Sequence, residues 1–246
     1  MQTSRKFIWL ILTHQPADTV AKLVAGWEQL VEGEIVVLYG GPRAEFDKIQ
    51  HSQKRFVEDK RLITRDHQRE RQSYDGVFEQ ALDVVAQSEA DFVYFTEFDQ
   101  IPMRSDIATY FADCMDAGNI DFMGSALQRI DGTNHPHWLN HHSDGALEGF
   151  LSQISVRKNK NVVLSSYGFG QCWRREGFLK VASVRQTISV YLELWIPSLA
   201  HHLGLKVGCM ECDKEWNTPT DAVDEVALNA LTSKPYFVHP IKGYWS

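Results

Sequence analysis

"DFVYFTEFDQIPM" (Asp91–Met103) decides how this chain folds. Phe92, Val93, Tyr94 and Phe95 stand in a row with no polar residue between them. Successive side chains of a strand point to opposite sides, so such a run reads as a strand covered on both faces. The run then meets Glu97 and Asp99, and Pro102 closes it. Acids at i and i+2 point the same way in an extended segment. Two carboxylates are therefore expected to converge at the mouth of a buried strand. They repel unless one becomes neutral or a cation sits between them. Oxygen ligands of this kind suit Mg²⁺ or Mn²⁺. The plainer alternative is a pair of turn residues solvating a strand end.

The surrounding sequence gives that strand its neighbours. "FIWLILTH" (7–14) is apolar without helical period and reads as a buried strand. "PADTVAKLVAGWEQLVEG" (16–33) spaces Val20, Leu23, Val24, Trp27 and Leu30/Val31 at three and four, which makes an amphipathic helix ended by Gly33. "EIVVLYGG" (34–41) is a second strand, and 73–88 is a helix leading into the 91–98 strand. Strands alternating with helices predict an α/β fold, a mostly parallel sheet covered on both faces. A helix at 106–118, a strand at 121–128, helical segments near 174–183 and 187–203, a strand at 204–211 and a helix at 220–233 follow. Between them, 129–165 is polar, aromatic and rich in His without period. A stretch of that length reads as a functional insertion, and its His-rich part, 129–145, is expected to be mobile and to face an acceptor.

Composition narrows the function. The chain has 246 residues with 43% hydrophobic and 23% charged content, which are ordinary globular values. We read one domain, 1–246, whose pattern changes after residue 128. Net charge is −7, from 25 Lys+Arg against 32 Asp+Glu. Binding nucleic acid needs a positive field, so no nucleic-acid partner is expected. The apolar run "FIWLIL" is too short to span a bilayer. Cys114, Cys172, Cys209 and Cys212 are too few for a disulfide framework. A cytoplasmic protein is expected, with peripheral membrane contact left open.

Individual residues carry candidate chemistry. Arg69 and Arg71 stand where a guanidinium could meet phosphate oxygens, or merely form a solvated charged run. Asp75 could meet a sugar or a neighbouring Arg. Tyr167, Phe169 and Trp173 lie in a glycine-punctuated stretch, 165–178, that reads as a flexible loop shaping an acceptor pocket or as a turn packed on the core. Glu193 sits within an apolar helix, where an unpaired charge is costly. It is paired, exposed at an edge, or a candidate base. His135, His137, His141 and His142 lack the spacing of a zinc helix. The pair Cys209 and Cys212 reads as packed thiols.

With these residues in view, the sequence resembles the glycosyltransferases of the GT-A fold. Those enzymes build a nucleotide-sugar site on a Rossmann-like sheet, where a buried strand runs into an Asp-x-Asp motif holding a divalent cation. "YFTEFDQIP" matches it in a Glu-x-Asp form. The resemblance implies Glu97, Asp99 and the C-terminal His239 as ligands of Mn²⁺ or Mg²⁺. It implies Thr13, His14 and Tyr39 at the base and ribose, and Lys242 at the departing diphosphate. The acidic helix "TDAVDEVALNAL" resembles that of inverting members and puts Glu225 forward as base, with Glu193 as second candidate. The implied partners are a nucleoside-diphosphate sugar and a glycan or other hydroxyl acceptor. The implied tail folds back over the donor site. Two rivals compete: a nucleotidyltransferase on a similar sheet, and a non-catalytic nucleotide-sugar-binding module. The first usually opens with a glycine-rich loop, where this chain has "LTHQPADTV".

Overall fold

A computed structural model describes residues 5–130, 135–154, 162–210, 235–241 and 245. The first unit runs β1 (Phe7–Thr13), α1 (Ala17–Glu28), β2 (Glu34–Tyr39), α2 (Arg43–Lys48), β3 (Lys54–Phe56), α3 (His67–Glu70), α4 (Tyr74–Gln87) and β4 (Phe92–Glu97). Then come β5 (Ile101–Pro102), α5 (Ile107–Gly118), β6 (Phe122–Ser125), β7 (Gln128–Ile130), α6 (Pro136–Ser143) and α7 (Ala146–Ile154). β8 (Val163–Ser165), β9 (Gln171–Arg174), α8 (Arg175–Ala182), α9 (Leu192–His202), β10 (Val207–Met210) and β11 (Phe237–Val238) complete the described elements.

The central sheet has seven strands in the order β10-β6-β9-β4-β1-β2-β3. β1 pairs in parallel with both β2 and β4, and β9 runs antiparallel between β4 and β6. The expected α/β architecture, a mostly parallel sheet flanked by helices, is what the chain forms. Every residue of β1 is buried, and strand alternation splits them between two cores. Ile8, Leu10 and Leu12 pack with α4, α8 and α9, whereas Phe7, Trp9 and Ile11 pack with α1 and α5. In β4, Val93 and Phe95 join the first core, and Phe92 and Tyr94 the second. That parity aims Glu97 at the α4 face.

Two expectations fail, and each failure has a physical cause. The stretch read as a flexible loop around 165–174 contains β9, an interior strand of the sheet. It was invisible because only Cys172 and Trp173 separate Gln171 from Arg174. Trp173 is fully buried against Phe122, 4.2 Å between ring centroids, so it belongs to the core and not to an acceptor pocket. The stretch 129–165, read as a loop without period, contains β7, α6, α7 and β8. α6 buries only a histidine, His141, so a hydrophobic period has nothing to show. Its contacts are polar and aromatic: the Tyr191 N–H donates to His141 Nε2 at 3.0 Å, and His137 stacks on Tyr191 at 3.6 Å. Residues 131–134, expected to be part of the mobile stretch, lie outside the described residues.

A short second sheet matters most for the site. β11 pairs antiparallel with β5, Phe237 opposite Pro102 and Val238 opposite Ile101. This pairing carries a C-terminal segment back to the mouth of β4.

Candidate active site

β4 ends at Glu97, and the chain turns there, with the Gln100 N–H donating to the Glu97 carbonyl at 3.2 Å. The two acids of the motif therefore converge through a turn rather than through strand alternation. Glu97, Asp99 and His239 each offer one ligand atom, and these atoms lie within 4.8 Å of one another. Asp99 is 5% exposed and His239 9%. His239 Nε2 approaches Asp99 Oδ1 at 3.4 Å, but without hydrogen-bond geometry, so Asp99 Oδ1 and His239 Nδ1 remain buried and unpartnered. A buried carboxylate oxygen without a donor is costly. Carboxylates and an imidazole are a donor set that Mn²⁺ accepts. The set fits a divalent cation.

The surrounding cleft is about 710 Å³ and is lined by His14, Glu70, Arg71, Tyr74, Tyr191 and Glu193 besides the triad. On the α4 side, the Tyr74 hydroxyl donates to Glu97 Oε1. Burial and the adjacent Glu97 push the Tyr74 phenol well up, so it stays a donor. Arg71 stands among Glu97, Tyr74, Tyr191 and Glu193. Burial works against its charge, but these neighbours outweigh it and hold the guanidinium pKa above its ordinary value. Glu193, in the first turn of α9, faces His137 Nε2 at 3.4 Å. It is neither isolated in the core nor solvated: it lines the cleft.

Two rings extend from the triad. Phe169 stacks on His239 at 3.5 Å, and Tyr167 stacks on Phe169 at 5.4 Å. Tyr167 is 38% exposed and forms the outer end. A second hollow of about 380 Å³ shares His14 and Glu70 with the main cleft and is otherwise lined by Leu12, Thr13, Gly40, Gly41 and Leu62, among others. The ends of β1 and β2 thus open into space continuous with the triad.

The structure brings Thr13, His14, Arg71, Glu97, Asp99, Glu193 and His239 to these two hollows. It does not bring Tyr39 or Asp75. Tyr39 is fully buried with its ring 6.1 Å from Phe46, so it presents no face for a base to stack on. The cause is α2, which lies across the end of β2. Asp75 accepts from Arg61 Nη2 at 2.6 Å and from the Gln186 N–H at 2.9 Å. Both of its oxygens are spent on the fold, away from the cleft. Glu225 and Lys242 lie outside the described residues. Sequence reasoning overlooked Tyr74, Tyr191 and His137. Tyr74 alone had a signal, since a first-turn helix residue next to the motif strand was already placed.

No family model matches the chain, and no curated protein matches it. Among solved structures, glucosyl-3-phosphoglycerate synthase from Mycobacterium tuberculosis, in complex with Mn²⁺, UDP and glucosyl-3-phosphoglycerate, is 14% identical, with 85% of this chain and 70% of that chain covered and a TM-score of 0.45. CMP:2-keto-3-deoxy-manno-octonic acid synthetase complexed with CTP is 13% identical, covering 84% of this chain and 90% of that one at a TM-score of 0.44. The bifunctional IspDF from Campylobacter jejuni is 8% identical at a TM-score of 0.44; 85% of this chain is covered, which spans 50% of the length of IspDF. All three likenesses are distant.

Proposed function

We propose that this chain is a metal-dependent glycosyltransferase, moving a sugar from a nucleoside-diphosphate donor to an acceptor hydroxyl. One observation carries the reading. Glu97, Asp99 and His239 converge at the carboxyl end of a central strand, with a buried, unpartnered Asp99 oxygen, at the floor of a cleft of about 710 Å³. Ligands of open α/β sheets bind outside the carboxyl ends of the strands.

Asp99 and His239 would be the principal ligands, with Glu97 as a third whose charge is shared with Tyr74 and Arg71. Bound Mn²⁺ or Mg²⁺ would supply positive charge to a departing diphosphate. Arg71 is the described cation of the cleft, and its fork suits phosphate oxygens. Thr13 and His14 border the hollow on the base side. On the other side, Glu193 would take the proton from the acceptor hydroxyl, a role worth about 10²–10⁴-fold in rate. The exposed face of Tyr167 would meet the C–H face of an acceptor sugar. Glu225, the first candidate base from the sequence, and Lys242 at the diphosphate keep those proposed roles.

The test is a titration with Mn²⁺ followed by UDP, GDP and their sugars, with donor hydrolysis read in parallel. Mn²⁺-dependent diphosphate binding and slow release of free sugar are expected. Pyrophosphate release from a nucleoside triphosphate and a sugar phosphate would make the chain a nucleotidyltransferase instead. Diphosphate binding without any turnover would make it a binding module.

A further inference from the structure

The backbone of the Glu97–Asp99 turn is gripped from outside the cleft. The Ile241 N–H donates to the Asp99 carbonyl at 3.0 Å, and the Trp245 indole Nε1–H donates to the Phe98 carbonyl at 3.2 Å. Two successive carbonyls, one on a triad residue and one between the two triad acids, are thus held by the same C-terminal segment. That segment also carries His239 and is anchored by β11 on β5. The indole has a seat of its own. It lies over Gly26 of α1, where an added Cβ would fall 2.2 and 2.3 Å from two ring carbons. Such distances demand that the ring move. Gly26 lies inside a helix, where glycine costs about 1 kcal/mol relative to Ala. Its neighbour Trp27 is fully buried, and the helix gains nothing locally from a glycine at this position. The close approach of Trp245 is what the missing side chain permits.

We propose that Trp245, seated on Gly26, is a positioning residue for the cation site. Through the Phe98 carbonyl it fixes the turn that aims Glu97 and Asp99 at a common point with His239. This rests on the metal-site reading above and adds a device to it: α1, whose described residues do not line the cleft, tunes cation affinity through an indole. Positioning partners of metal ligands are typically worth about 10–100-fold in metal affinity.

Gly26→Ala and Trp245→Phe test this in the full chain, with free Mn²⁺ measured by electron paramagnetic resonance. The first pushes the ring off its seat without substituting any triad residue or any residue of the C-terminal segment. The second keeps a ring and removes the indole N–H. Both are expected to weaken Mn²⁺ binding about 10-fold or more. A merely structural role would lower the unfolding temperature of the metal-free protein without separating these variants from controls of equal stability. Leu23→Val, elsewhere on α1, is the stability control and should bind Mn²⁺ as the wild type does. If wild type binds Mn²⁺ and both variants bind it equally well, the positioning role is overturned and the cation site stands. If wild type binds no Mn²⁺, both fall.

Discussion

Asp75 and Asp99 are both buried acids, 1% and 5% exposed, and the structure treats them in opposite ways. Asp75 is saturated. Arg61 reaches it at 2.6 Å, Arg185 at 3.4 Å and the Gln186 N–H at 2.9 Å. Arg61 also binds Asp59 at 2.7 Å and donates to the Gln72 carbonyl at 2.6 Å. The cluster therefore ties the loop after β3 to α4 and to the segment before α9. Its output is indirect: Gln72 is the residue after Arg71, and the Leu192 N–H donates to the Arg71 carbonyl. Asp99 Oδ1 receives no hydrogen bond; its close polar neighbour is the His239 ring, with Nε2 at 3.4 Å. Burial alone therefore does not mark a functional acid. Unspent hydrogen-bonding capacity at an open cleft is what sets Asp99 apart from Asp75.

That contrast can be broken most forcefully at Asp75. Asp75→Ala removes the buried carboxylate shared by Arg61 and the Gln186 N–H, although Arg61 keeps Asp59 and the Gln72 carbonyl and Arg185 keeps Glu79. It should cost about 3–5 kcal/mol of stability by chemical denaturation, the range for removing one partner of a buried pair. If the variant is as stable as wild type but no longer binds nucleotide, Asp75 belongs to the site and the contrast collapses. Asp99→Asn should do the reverse. Mn²⁺ affinity should fall at least about 100-fold, some 2.7 kcal/mol, while the metal-free unfolding temperature stays level or rises as like-charge repulsion is relieved. A calorimetric titration beside a thermal melt reads both.

Glu193→Gln sharpens the comparison on the acceptor wall. If Glu193 is the base, turnover should drop about 100-fold with donor binding unchanged. Steady-state kinetics with the donor varied from below to above saturation separates this from a packing defect, which would move donor binding as well. The smallest effect is expected at the α6–α9 joint. Burial lowers the pKa of His141 below its ordinary 6.5, with His137 adding to the shift and Asp144 opposing it; protonating Nε2 would also end its acceptance of the Tyr191 N–H. The native state then binds fewer protons than the unfolded chain once pH drops past about 6.5. Stability is complete above that value and lost as pH falls. His141→Gln should flatten that slope, at a constant cost of about 1 kcal/mol for the weakened hydrogen bond. Stability measured in steps from about pH 7.5 to 5 checks the sign, and an unchanged slope in the variant would assign the pH dependence elsewhere.

Apolar runs and helical period were sufficient for the sheet's first half, because β1, β2 and β4 are buried on both faces and α1 and α4 on one. Wherever burial is achieved by polar or very short segments, the pattern vanishes. α6 packs through histidines, and β9 has two apolar residues between polar ones, yet it sits at the middle of the sheet. The site divides in the same way. Glu97 and Asp99 stand out locally as a pair at a strand mouth. Nothing local distinguishes Asp75 from Asp99, or shows that Tyr39 lies under α2.

His239 as a partner of the acids was implied only by the family resemblance; the sequence by itself determined the α/β class and the strand carrying the acids. It could do so because periodicity and strand-end chemistry act over a few residues. Tertiary structure alone decided that a turn, not strand alternation, makes the acids converge, and that β11 on β5 brings His239 across more than a hundred residues of chain to Asp99. It also decided which buried acid is paired and which is not. Those outcomes depend on which distant donors reach a given oxygen, and sequence spacing holds no record of distances between segments joined only by folding.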